Sequence, residues 1–217
     1  MKILATSCAI LLMLTVVSAA PLAAKEWIIF DDEVLYGALT THDGGFEVSD
    51  ENPYEGKECL ARELVAGEWA WITGIGEDNP MNLDITGIEF DEAFIEFYID
   101  SGKVVLGYIE LRLAGQGWNP DCQFIIQTDG AEGYEQVRIP LKDFDVKQLG
   151  AKAKDLDDFT GGTGKIDIWS IGFSPPADTT VYVDELRIAD SDEPEMKQTV
   201  EPNGKLTTLW ASVKSNP

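Results

Sequence analysis

Nine short segments with strand character, each closed by turn-forming residues, constrain this chain most. They are WIIF (27–30), ECLARELV (58–65), WAWITGI (69–75), FIEFYI (94–99), VVLGYIELRLA (104–114), QFIIQT (123–128), QVRIPL (136–141), IWSIGFS (168–174) and VYVDELRI (181–188). Alternation with a period of two is the pattern of a pleated strand with one face buried, and no long stretch shows helical spacing. Turns are marked by His42-Asp43-Gly44-Gly45, Asp100-Ser101-Gly102, Asp129-Gly130 and Gly161-Gly162-Thr163-Gly164. Many short strands so punctuated predict an all-β chain, an antiparallel β-sandwich or jelly roll. One helical turn is expected within Lys142–Lys154, followed by an acidic loop at Asp155-Leu156-Asp157-Asp158.

Residues 1–24 read differently. Lys2, the apolar run Ile3 to Val17 and small residues through Ala24 have the layout of a secretory signal peptide, with cleavage expected between Ala19 and Ala24. The apolar run is too short for a membrane span, so no span is expected after processing, and the chain is expected to be extracellular or periplasmic. Residues 25–190 then form one sandwich domain, residues 191–204 an acidic linker with two prolines, and residues 205–217 a short amphipathic helix. Leu206, Leu209, Trp210 and Val213 share one face of that helix. A helix so short is marginal in water, so it needs a surface, on its own domain or on a protein partner.

The formal net charge of −23 argues against nucleic acid and anionic membranes as partners, because phosphate recognition needs concentrated Lys and Arg. It favours solubility and attracts divalent cations. Cys59 and Cys122 remain outside the leader; in an oxidising compartment they form one disulfide or stay as two buried thiols.

Three segments carry a resemblance: NPYEGKECL (52–60), VRIPLKDF (137–144) and KIDIWSIGFSPPADTTVYVDELRIA (165–189), two alternating strands about a Pro-Pro-Ala-Asp turn. In this order, over residues 26 to 190, the chain resembles the galactose-binding-like β-sandwich. It is similar to the non-catalytic carbohydrate-binding modules of secreted polysaccharidases and to the complex I intermediate-associated family. The resemblance implies a binding module for polysaccharide or oligosaccharide rather than an enzyme.

Alternation assigns faces within that frame. Ile95, Phe97 and Ile99 point to the core, as do Ile109, Leu111 and Leu113; Tyr98 and then Tyr108, Glu110 and Arg112 point outward. Trp69 and Trp71 share a side, which is either core or the same outward face. If these strands neighbour one another in one sheet, the outward set offers aromatic planes, acceptors and a guanidinium, the mixture that sugar faces and hydroxyl edges need. The ligand-binding candidates are Tyr98, Tyr108, Glu110, Arg112, Trp71 and, in the loop GQGWNP, Trp118. Two or three stacks at about 1 kcal/mol each place affinity in the millimolar to micromolar range.

The resemblance also implies a structural calcium where the first strand, an early loop and the last strand converge. The matching positions are Asp31, the Gly56-Lys57 turn through its carbonyls, and Asp184. Other motifs fail. GGTGKI lacks the first glycine of a phosphate loop, since Phe159 stands there, and Ile166 replaces its Ser/Thr. Glu89 and Asp91 begin a glycosidase-like pattern that Phe94 breaks, and His42 is the single histidine. The readings that follow are a secreted glycan-binding module, an envelope interaction protein of the same fold, and a jelly-roll enzyme for which no acid/base pair stands out.

Overall fold

A computed structural model describes residues 25–34, 46–72, 82–115 and 120–190. The leader, His42, Trp118, the linker and the C-terminal helix proposed from sequence lie outside the described residues. The strands are β1 (Glu26–Asp31), β2 (Glu33–Val34), β3 (Glu47–Ser49), β4 (Cys59–Leu64), β5 (Ala70–Ile72), β6 (Leu83–Asp84), β7 (Phe94–Asp100), β8 (Ile109–Gly115), β9 (Asp121–Ile126), β10 (Glu135–Pro140), β11 (Asp145–Val146), β12 (Ala151–Lys152), β13 (Lys165–Phe173) and β14 (Thr179–Ala189). Among the described residues they form two seven-stranded sheets whose strand pairs are antiparallel. The chain is the antiparallel sandwich that its alternation predicts.

In the first sheet the order is β10-β7-β14-β1-β2. β14 is central: β7 runs along one edge, while the other edge is shared by β4, opposite residues 179–183, and β1, opposite residues 186–189. Where the two partners meet, the β7–β14 register slips between Asp184 and Arg187, and Glu185 takes a φ of 52°. The second sheet runs β12-β11-β9-β8-β13-β5, with β6 beside the start of β13.

Between the sheets lies one apolar core. Ile95, Phe97 and Ile99 fill it from the first sheet and Ile109, Leu111 and Leu113 from the second, all essentially buried as alternation requires. Phe46 meets Phe173 with ring centroids 5.2 Å apart, and Phe144 meets Phe159 edge-on at 5.9 Å. Each such ring contributes roughly 1.5–3 kcal/mol of burial. Cys59 and Cys122 lie in opposite sheets as separate buried thiols, and burial pushes their pKa values up to about 11 and about 12.

Two connections decide which strands share a face. After β7 the chain turns at Gly102 (φ +61°), whose amide donates to Asp100 Oδ1 at 2.8 Å. Ser101 donates to the Val104 carbonyl, and Thr179 of β14 donates to the Ser101 carbonyl, both at 2.7 Å. This ties the exit of β7 to its own sheet, and the chain becomes strand again only at Ile109, in the other sheet. The second connection, 174–178, carries the chain from β13 to β14 and therefore also crosses between sheets. Pro175 and Pro176 have no N–H to continue a ladder there.

The α-helix falls at Leu156–Thr160, in the segment expected as an acidic loop, and only a 3-10 turn at Leu141–Asp143 touches the region expected to be helical. The acidic residues are the cause. Asp155 is an N-cap whose carboxylate accepts from the Asp158 amide at 2.8 Å, and Gly161 closes the helix in the left-handed region at φ 65°.

Candidate functional site

The outer face of the second sheet is built in register rows. Trp71 of β5, Gly172 of β13, Glu110 of β8 and Ile125 of β9 stand side by side; in the next row are Ser170, Arg112, Gln123 and Asp145. Just ahead of β5 and β8, Trp69 and Tyr108 bring their rings to 5.8 Å, inclined at 48°, with 39% and 38% of their surface exposed. Trp69 folds back over the sheet at Gly172: a β-carbon placed on that glycine would stand 2.6 Å from Cζ2 of the indole. Glycine is therefore what lets the indole lie close to the strand. With Val105, Pro175 and Pro176 the two rings line an open trough of about 860 Å³.

Next to this aromatic end lies a polar one. The side-chain amide of Gln123 donates to Oε1 of Glu110. Arg112 grips Asp121 twice, Nε to Oδ1 at 3.3 Å and Nη2 to Oδ2 at 2.6 Å, and Lys147 Nζ stands 2.8 Å from the same Oδ2. Burial alone would raise the Asp121 pKa; hydrogen bonds from Arg112 and Lys147 outweigh it and hold the carboxyl below its ordinary range.

Four of the sequence candidates, Tyr108, Glu110, Arg112 and Trp71, meet on this face. Tyr98 does not join them, because β7 and β8 belong to different sheets. The expectation of one Tyr98/Tyr108/Arg112 face is corrected on that ground. Tyr98 instead lies under Tyr54, rings parallel within 12° at 3.9 Å, with Tyr134 edge-on to Tyr54 at 5.3 Å. Burial, with hydrogen bonding to Tyr54, pushes the Tyr98 phenol up to about 12. Of the two readings open for Trp69, the structure takes the outward one. The sequence signal was the Trp-x-Trp spacing; its partner Gly172 lies a hundred residues away in the chain.

The opposite sheet turns its polar face into ion pairs. Glu96 is only 1% exposed although alternation points it outward; Arg187 and Arg138 reach its carboxylate at 2.5 and 2.9 Å. The Arg138 guanidinium lies 3.6 Å above the Phe94 ring.

The third locus is where β1, the 54–58 turn and β14 converge. Asp32 meets the turn: its Oδ1 accepts from the amides of Lys57 at 2.5 Å and Glu58 at 2.9 Å. Asp184, 1% exposed, accepts from the Tyr54 and Glu185 amides at 2.8 Å each. Burial raises the Asp184 pKa, and the Asp32 charge adds to the rise. Gly56, at φ +66°, leaves the space that a β-carbon would take 2.2 Å from Asp32 Oδ1. Two carboxylates that raise each other's cost suit a divalent cation. Among the described residues, however, no three His, Cys, Asp or Glu side chains cluster, so calcium's remaining ligands would have to be carbonyls.

No protein-family model matches the sequence, and no curated protein matches it. Solved structures do. The family 30 carbohydrate-binding module of a cellulosomal cellulase of Clostridium thermocellum superposes with a TM-score of 0.51 at 16% identity, covering 78% of this chain and 99% of that one. A second family 30 carbohydrate-binding module gives 0.52 at 14% identity, over 82% of this chain and 93% of that one. The antiparallel β-sandwich fold is shared with these carbohydrate-binding modules. An exo-beta-agarase matches at 0.51 and 17% identity over 77% of this chain and 25% of its own length. Among the described residues, no helix is long and apolar enough to cross a membrane.

Proposed function

We propose that this is a secreted, non-catalytic module that binds polysaccharide weakly on the outer face of its second sheet. The carrying observation is the Trp69–Tyr108 pair: two exposed, inclined rings at the mouth of a trough, beside hydrogen-bonding groups. Sugar rings stack their apolar C–H faces on such planes, and their hydroxyl rims reach Glu110 and Gln123. Two stacks and a few hydrogen bonds suit a Kd of about 10⁻⁶ to 10⁻³ M. The fold shared with modules of a cellulase supports the reading.

The same proposal includes a structural calcium held by Asp32 and Asp184 with backbone carbonyls of the 54–58 turn. It would act as a staple between β1, the turn and β14, away from the sugar-binding face.

A polysaccharide array probed with the intact chain tests the function. Binding to a neutral polysaccharide is expected, reduced about 5-fold by Trp69→Ala, the loss of one stack of about 1 kcal/mol. Silence across the array would transfer the chain to the interaction-protein reading, and release of new reducing ends or unsaturated products would contradict the non-catalytic part.

A further inference from the structure

From the hydrogen-bond polarity of the same face, and resting on the glycan reading above, we infer that Glu110 is a specificity determinant that excludes sugar chains bearing carboxylate or sulfate groups. Glu110 is the register partner of Gly172, the residue over which the Trp69 ring lies, so the strand pairing brings Glu110 beside the stacking position. Gln123 gives an amide N–H to Glu110, which joins the two side chains on this face. The cations of the face are committed elsewhere: Arg112 and Lys147 both close on Asp121. Next to the rings the polar end therefore carries a carboxylate, while these positive charges are drawn to Asp121. Hydroxyl groups donate to such a surface. Carboxylates and sulfates cannot donate, and the formal charge of −23 over the whole chain repels them before contact.

The test uses pairs of chains with one backbone and different charge: hydroxyethylcellulose against carboxymethylcellulose, and β-mannan against poly-β-mannuronate. Affinities are read for the intact chain, Glu110→Gln and Glu110→Lys at 20 and 300 mM salt, with thermal unfolding to confirm that each variant folds. The inference expects the neutral member of a bound pair to win by at least 10-fold at low salt, with the gap narrowing at high salt. Glu110→Gln should shrink the gap, and Glu110→Lys should bring in the anionic member in a salt-sensitive way. Equal binding of both members, or a ratio that neither variant moves, overturns the inference while leaving glycan binding intact. Silence of the intact chain toward all four polymers defeats the glycan reading and this inference together. Should Glu110→Lys not fold, Glu110→Gln alone decides by the ratio.

Discussion

Gly172 and Asp121 set the two ends of the proposed binding face by different means. Gly172 acts through an absent atom. Gly172→Ala puts a methyl group 2.6 Å from the Trp69 ring, which must swing away from the sheet. Because Trp69 is 39% exposed it can move toward solvent, so the fold should survive at a cost at the low end of the roughly 1–3 kcal/mol typical of overpacking. Tryptophan emission should shift to the red and glycan affinity should fall about as far as in Trp69→Ala; unchanged emission and affinity would contradict the placement. Asp121 acts through charge. Its folded pKa lies below the ordinary 3.8, so its stabilisation is present above that value and is lost as pH falls through the folded pKa. The urea midpoint of the parent should therefore drop between about pH 4 and pH 2 more steeply than that of Asp121→Asn. Parallel acid limbs would show that the Arg112 and Lys147 pairs do not stabilise the fold. At this scale the sequence was legible one strand at a time: alternation alone turned Tyr108, Glu110 and Arg112 outward. It could not reveal that Glu96, on the same rule, is sealed by Arg138 and Arg187, since those partners lie 42 and 91 residues away.

At the scale of elements, the partition of β7 and β8 between sheets explains what the sequence obscured. Two adjacent alternating strands joined by an Asp-Ser-Gly turn have the local signature of a hairpin, and only the pairing of β7 with β10 and β14, and of β8 with β9 and β13, shows that the chain crosses over. Helix placement shows the same limit: propensity located a turn near 142–154, whereas the Asp155 cap and Gly161 fix it at 156–160. The convergence of β1, the 54–58 turn and β14 was legible, but the contact of Asp32 with the turn amides was not. A period-two pattern cannot place a residue in the left-handed region, and Asp32 sits there at φ 59°. If calcium staples this junction, chelation lowers the unfolding temperature of the parent and leaves that of Asp184→Ala unmoved. Chelation without effect on the parent would mean that the amides of Tyr54, Lys57, Glu58 and Glu185 hold the carboxylates unaided.

Over the whole molecule, sequence pattern and structure agree on the architecture because both follow from burying one face of each strand against a second layer. Function does not follow from that architecture, since sandwiches host binding modules, structural proteins and enzymes alike. What supports the binding reading is that the two outer faces differ: one closes polar groups into ion pairs around Glu96 and stacks Tyr54 on Tyr98, the other leaves Trp69 and Tyr108 lining a trough. Affinity electrophoresis through gels containing neutral polysaccharides, with Trp69→Ala, Tyr108→Ala and Tyr98→Ala run beside the parent, tests that difference most directly. The parent should be retarded, and retardation should vanish in Trp69→Ala and Tyr108→Ala. Tyr98→Ala should remain retarded while losing roughly 1 kcal/mol of stability with its Tyr54 stack. Retardation that survives both trough variants and disappears in Tyr98→Ala would place the binding face on the other sheet and contradict the account.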